Sequence, residues 1–205
     1  SAISTVSYHT FTMGEGLTVA EPQVLMIDDE KQVADAYALR LEGVADVAVA
    51  YGGEEGLAVV DDSRPPDVVL LDRHMPGYSG DEVLAELRER EIMTRVIMVT
   101  AIDPDLGIVE MPFDDYLSKP VDRDDLHAAV DQQCQVLAYE LLGEYFRLAS
   151  TRAVLTGEPA ATADADKRLA AIETEMEQAE QRVRALLPDA ESLLSTFEEI
   201  DRGGY

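Results

Sequence analysis

The amino-acid sequence predicts an α/β fold, a doubly wound five-stranded parallel sheet, followed by an all-α C-terminal region built as a helical hairpin or coiled coil. Three observations carry this prediction. Apolar runs such as Val68-Val69-Leu70-Leu71 and Val96-Ile97-Met98-Val99 lack the polar alternation of a half-exposed strand, so they read as strands buried on both faces. Amphipathic segments lie between those runs, and strand–helix–strand alternation implies right-handed crossovers. The last third of the chain carries apolar residues at alternating spacings of three and four, the pattern of a helix–helix seam.

Taken in order, residues 1–22 hold Ser, Thr, Gly and Glu with scattered apolar residues, and are expected to form a disordered arm or an expression remnant. Val24-Leu25-Met26-Ile27 is the first strand, ending in Asp28-Asp29-Glu30. Residues 30–42 read as a helix with Val33, Ala36, Tyr37 and Leu41 on one face and Gly43 as its terminator. Asp46–Ala50 is a short strand, and 53–60 a helix bearing Leu57 and Val60. The third strand runs into Asp72, after which Met75-Pro76-Gly77 turns the chain. A helix over 80–90 (Val83, Leu84, Leu87), a strand over 95–100 and a strand at 115–118 complete the series, and a further helix opens near Asp122. Five such units suit the flavodoxin-like strand order 2-1-3-4-5.

Composition narrows the function classes. With 16 basic and 42 acidic residues the net charge is −26, a field that repels nucleic acid. Dense carboxylates and only three lysines (Lys31, Lys119, Lys167) fit a surface adapted to high salt, and we expect a halophile's cytoplasm. A single cysteine, Cys134, excludes an internal disulfide framework. His9, His74 and His127 make no zinc spacing, and no apolar run is long enough to cross a membrane.

In an open α/β sheet, ligands bind at the carboxyl ends of the strands. Asp28 and Asp29 end strand one, Asp72 strand three, Thr100 strand four and Lys119 strand five, and in the 2-1-3-4-5 order these strands are neighbours. Each residue has a bland explanation alone: Asp28, Asp29 and Asp72 as turn formers or helix caps, Lys119 as a solvated charge. Their joint placement is harder to explain that way. Carboxylates gathered at one edge repel one another unless a cation binds them, and an all-oxygen site with few protein ligands suits Mg²⁺. An ammonium group and a hydroxyl opposite would receive phosphoryl oxygens. The set suits phosphoryl transfer to a carboxylate.

With the acidic pair Asp28-Asp29, Asp72 followed by Met75-Pro76-Gly77, Thr100-Ala101, and the run from Asp114 to Pro120, residues 23–130 resemble a receiver domain of the response-regulator family. The resemblance implies that Asp72 accepts a phosphoryl group from a histidine kinase. It implies that Asp28, Asp29, Asp72 and the backbone carbonyl of His74 hold Mg²⁺, and that Lys119 contacts the phosphoryl group beside a cis Lys119–Pro120 bond. Thr100 and Tyr116 match the switch pair, whose movement on phosphorylation is a population shift driven by added charge. The interval from Thr100 to Lys119 is shorter than is usual in the family. Pro104, Gly107 and Pro112 make it a poor helix, so we expect a truncated fourth helix and a reorganised output face.

Residues 131–205 read as a helical dimerisation and output domain. Leu126, Val130, Leu137, Leu141, Tyr145 and Leu148 extend one stripe to about Leu155, and 160–166 read as a polar linker. Leu169, Ile172, Met176, Val183, Leu186, Leu193, Phe197 and Ile200 form a second stripe, with a break expected near Leu187 because Pro188 follows. This seam either folds onto the preceding helix or pairs with a second chain, and the amount of apolar surface favours a homodimer. The region resembles the HalX domain that follows receivers in haloarchaeal regulators. With 7 basic and 15 acidic residues over 128–205, direct DNA binding is disfavoured. The chain is therefore expected to be a phosphorylation-driven switch rather than a turnover enzyme, signalling through a downstream regulatory protein. A DNA-binding transcription factor and a protein-interaction adaptor are the alternatives. A haloacid-dehalogenase-type phosphatase needs a second Asp two residues past the nucleophile, where this chain has His74.

Overall fold

The structure is a computed structural model and describes residues 21–62, 64–101, 111–157 and 163–195. The chain divides into two compact units, 1–134 and 135–205.

In the first unit, strands β1 (Gln23–Ile27), β2 (Asp46–Ala50), β3 (Val68–Leu71), β4 (Arg95–Thr100) and β5 (Asp115–Ser118) form one sheet in the order β2-β1-β3-β4-β5. All four pairings are parallel, as the alternation with helices predicts. Ile27 stands opposite both Ala50 and Leu71, Leu71 opposite Met98, and Thr100 opposite Ser118, so β1, β2 and β3 end level and β4 and β5 end together two residues further on. That register brings the residues following the strands to a single edge.

Side chains alternate between the two faces of a strand. Leu25, Ile27, Val69, Leu71, Val96 and Met98 meet Leu57 and Val60 of α2 (Gly53–Asp62) and Val83, Leu84 and Leu87 of α3 (Gly80–Glu89) in one core. Val24, Met26, Val68, Leu70, Ile97 and Val99 occupy the alternate positions and are equally buried. Helix α1 (Lys31–Arg40) buries Ala34, Tyr37 and the following Leu41, one face at spacings of three and four. The expected face included Ala36, which is exposed; Ala34 takes its place. Gly43 closes the segment at φ +81°, a conformation glycine adopts without Cβ strain. Helix α4 (Arg123–Gly157) opens in this unit, with Leu126, Ala129 and Val130 buried.

In the second unit, α4 continues to Gly157 and α5 covers Ala163–Leu186. Residues 163–166, expected in a linker, are helical, with Asp164 and Asp166 in the first turn where carboxylates complement the helix dipole. A turn at 187–189 carries Pro188, and helix resumes over 190–195. Ile172 and Met176 of α5 pack with Leu148 and against Tyr145, Ala149 and Leu155 of α4.

Candidate functional site

Three backbone bonds extend the sheet one residue beyond its strands. The Asp28 amide donates to the Ala50 carbonyl at 3.1 Å, the Asp72 amide to Ile27 at 2.9 Å, and the Lys119 amide to Thr100 at 2.9 Å. Each functional side chain therefore hangs from a strand end held by its neighbour. Beyond Asp72, Gly77 turns the chain at φ +78°, and Ser79 caps α3 in a reciprocal capping box with Glu82. Gly80 then lets the first turn of α3 close on the acceptor strand. A Cβ at this position would lie 2.2 Å from the Asp72 carbonyl oxygen and 2.8 Å from the Arg73 Cα, both backbone atoms.

Charge is concentrated in this edge. Asp28 is 0 % exposed and Asp72 6 %, while Asp29 reaches the surface. The Lys119 ammonium lies 2.6 Å from Asp28 Oδ2 and 3.5 Å from Asp72 Oδ2, and the Glu30 amide donates to Asp28 Oδ1 at 2.9 Å. Carboxylate oxygens of Asp28, Asp29 and Asp72 lie within 4.8 Å of one another. Burial raises the Asp72 pKa and the Asp28 charge adds to this, with Lys119 opposing. Burial alone would lower the Lys119 pKa, but its hydrogen bond to Asp28 and the charges of Asp72 and Asp28 prevail and raise it. Three carboxylates against one ammonium leave the cluster two charges short of neutral. An all-oxygen donor set with that deficit fits a hard divalent cation such as Mg²⁺.

The remaining sequence-predicted residues fall as follows. Thr100 is buried, 1 % exposed, at the end of β4. Tyr116 is half-buried on β5, its ring centroid 6.3 Å from that of Phe113. His74 is exposed on the loop after Asp72, and the Lys119–Pro120 peptide is cis. The segment expected to hold a truncated fourth helix lies mostly outside the described residues; 111–113 are not helical.

Two elements of the site were not anticipated. Gly80 reads in the sequence only as a helix start, because approach to a distant strand leaves no local pattern. The second is a bracket behind Pro120: the Val121 amide donates to the Tyr37 hydroxyl at 3.1 Å, and the Arg40 guanidinium donates to the Val121 carbonyl. Tyr37 serves the core and the loop at once, and its spacing reported only the first role.

Among the described residues, the expected dimer seam is largely covered within the chain. Ile172, Met176, Val183 and Leu186 are buried, Leu169 and Leu193 half-buried, and Phe197 and Ile200 lie outside the described residues. Past Pro188 the buried position is Leu194 rather than Leu193, because the turn at 187–189 interrupts the helix and shifts its phase.

These features are those of a doubly wound receiver fold with an acidic cluster at one sheet edge. The response regulator receiver domain matches residues 24–131, and the chain belongs to that family. A HalX domain follows over 135–201, so this is a receiver joined to a HalX domain. A candidate transcriptional regulator of Haloferax volcanii is 42 % identical over 192 residues, 89 % of this chain and 33 % of its own length. The chain thus spans a third of that relative. Among solved structures, the signal receiver domain of a candidate LuxO repressor from Vibrio parahaemolyticus is similar with a TM-score of 0.55 and 25 % identity, over 58 % of this chain and 95 % of that one. The receiver domain of a Francisella response regulator gives a TM-score of 0.51 and 33 % identity, over 55 % of this chain and 96 % of that one.

Proposed function

We propose that this chain is the acceptor of a two-component phosphorelay, taking a phosphoryl group onto Asp72 from a histidine kinase. The observation that carries the reading is Lys119 Nζ set 2.6 Å from Asp28 and 3.5 Å from Asp72 beside a third carboxylate. An Asp72 oxygen attacks phosphorus, the P–O bond forms as the P–N bond of the donor's phosphohistidine breaks, and the released imidazole takes a proton. Lys119 is placed to meet the transferred oxygens, and Thr100, at the end of the neighbouring strand, to hydrogen-bond one of them. Asp28, Asp29, Asp72 and the His74 carbonyl would hold Mg²⁺, which supplies charge neutralisation when bound. The ordering of Thr100 and Tyr116 after transfer is the switch, and the chain is a signalling device rather than a turnover enzyme.

The HalX unit is the output module, and likeness to the Haloferax regulator supports an output in transcription. Because 128–205 carry 15 acidic and 7 basic residues, that output runs through protein contacts in preference to a direct grip on DNA.

The test is labelling by acetyl phosphate. Asp72→Asn is expected to abolish it, and Asp29→Ala to remove the dependence on Mg²⁺ together with most of the activity. Labelling retained in Asp72→Asn would mean that the nucleophile is another residue.

A further inference from the structure

The outward face of α4 within the second unit differs from the rest of this acidic chain. Between Gln135 and Gly157 the charged residues are Glu140, Glu144, Arg147 and Arg152, and they lie beside or towards the face that packs on α5. Opposite Leu148, which α5 covers, the positions at spacings of three and four are Val136, Tyr139, Gly143, Phe146, Ser150 and Ala153. None is charged over five turns, in a protein where 28 % of residues are. Tyr139 is 60 % exposed, and Val154 beside the stripe is 68 % exposed. At Gly143 a Cβ would find no atom within 4 Å, so the helix surface carries an open notch there. One turn on, Phe146 stands edge-on to Tyr145, ring centroids 5.5 Å apart.

We propose that this stripe is an antiparallel docking face for α4 of a second copy of this chain. The pattern is complementary to its own reverse. A two-fold axis crossing the helix between Glu144 and Tyr145 sets Phe146 of one copy against Gly143 of the other, Tyr139 against Ser150, and Val136 against Ala153. Each large side chain meets a small one, the condition for a knob to enter a hole. The same axis brings Glu140 of one copy alongside Arg147 of the other, twice by symmetry, along the edge of the stripe. A parallel arrangement would instead stack Phe146 on Phe146, Gly143 on Gly143 and like charges on like. For a chain of net charge −26, self-association must use a surface without net repulsion, and here the flanking pair is attractive. Ile172, Met176, Val183 and Leu186 of the α5 stripe, already covered within the chain, do not offer such a surface.

Sedimentation or light scattering of the full chain over a concentration series tests this, with circular dichroism to check the fold. The wild type is expected to dimerise and Phe146→Glu to be monomeric with unchanged helicity. At the lowest salt that keeps the fold, Glu140→Arg and Arg147→Glu are each expected to weaken the dimer about tenfold or more, and the double reversal to restore it, since the two exchanges recreate both pairs. A monomeric wild type, a dimer indifferent to Phe146→Glu, or charge reversals that add instead of cancelling would each overturn the proposal. None of these outcomes depends on phosphorylation at Asp72.

Discussion

The two units hold their side chains in place by different means, and function is readable to different depths in each. In the receiver, strand register fixes position: Ile27, Ala50 and Leu71 end their strands level, and Thr100 and Ser118 end theirs together, so the residues at these ends gather on one edge. Asp28, Asp72 and Lys119 are remote in sequence but separated by single hydrogen-bond lengths. In the second unit the corresponding signal is a 3.6-residue period, which states that a face is apolar and leaves open what covers it. A sheet edge identifies chemistry; a helix stripe identifies only a need for a partner.

The strongest way to break this contrast is to disturb the register on which the receiver depends. Gly80→Val puts a branched side chain where even Cβ would sit 2.2 Å from the Asp72 carbonyl oxygen. The obstacle is backbone that cannot rotate away, so the cost should exceed the ~1–3 kcal/mol usual for overpacking. We expect loss of the receiver's thermal transition or, if it survives, loss of Asp72 labelling. A stable variant with normal labelling would show that α3 need not approach the acceptor strand so closely.

A smaller effect is expected from Met176→Ala. Met176 is buried between α5 and α4 with Leu148 and Ile172, and removing such a side chain costs about 2–5 kcal/mol. The loss should appear in denaturant melts read by helicity, while acetyl phosphate labelling of Asp72 is unchanged. Coupled loss of both would mean that the receiver does not hold its site independently of the helical unit.

The same contrast explains what the sequence disclosed. The sheet order and the strand-end placement of Asp28, Asp29, Asp72, Thr100 and Lys119 were legible because unbroken apolar runs leave few alternatives to a buried parallel strand. Ala34 was missed for Ala36 because α1 is only weakly amphipathic, and two adjacent frames of small residues fit it equally well. Leu194 replaces Leu193 because Pro188 changes the phase by an amount that depends on the turn it makes. Gly80 and the Tyr37–Val121 hydrogen bond escaped for another reason: close approach and loop bracing are relations between distant segments, and local patterns carry no trace of them. The amount of apolar surface in the sequence favours a second chain as the partner of the α5 stripe. Helix α4 covers the Ile172 and Met176 part of it with Tyr145, Leu148 and Leu155.

The subtlest expected effect concerns the acceptor carboxylate before any ligand binds. Burial raises the Asp72 pKa, so the folded chain keeps this proton to a higher pH than the unfolded chain does. Ionised Asp72 is therefore a cost to folding at neutral pH, and the cost disappears once the pH falls below the ordinary aspartate range, where both states are protonated. In the presence of a chelator, Asp72→Asn should melt above the wild type at neutral pH, with the gap closing on acidification. Adding Mg²⁺ should reverse the order, because a cation that binds the native carboxylates stabilises the wild type by mass action and the variant has lost one of them. A wild type that melts above Asp72→Asn in chelator at neutral pH would mean that Lys119 already compensates the buried charge, and that the acceptor site needs no further cation to be stable.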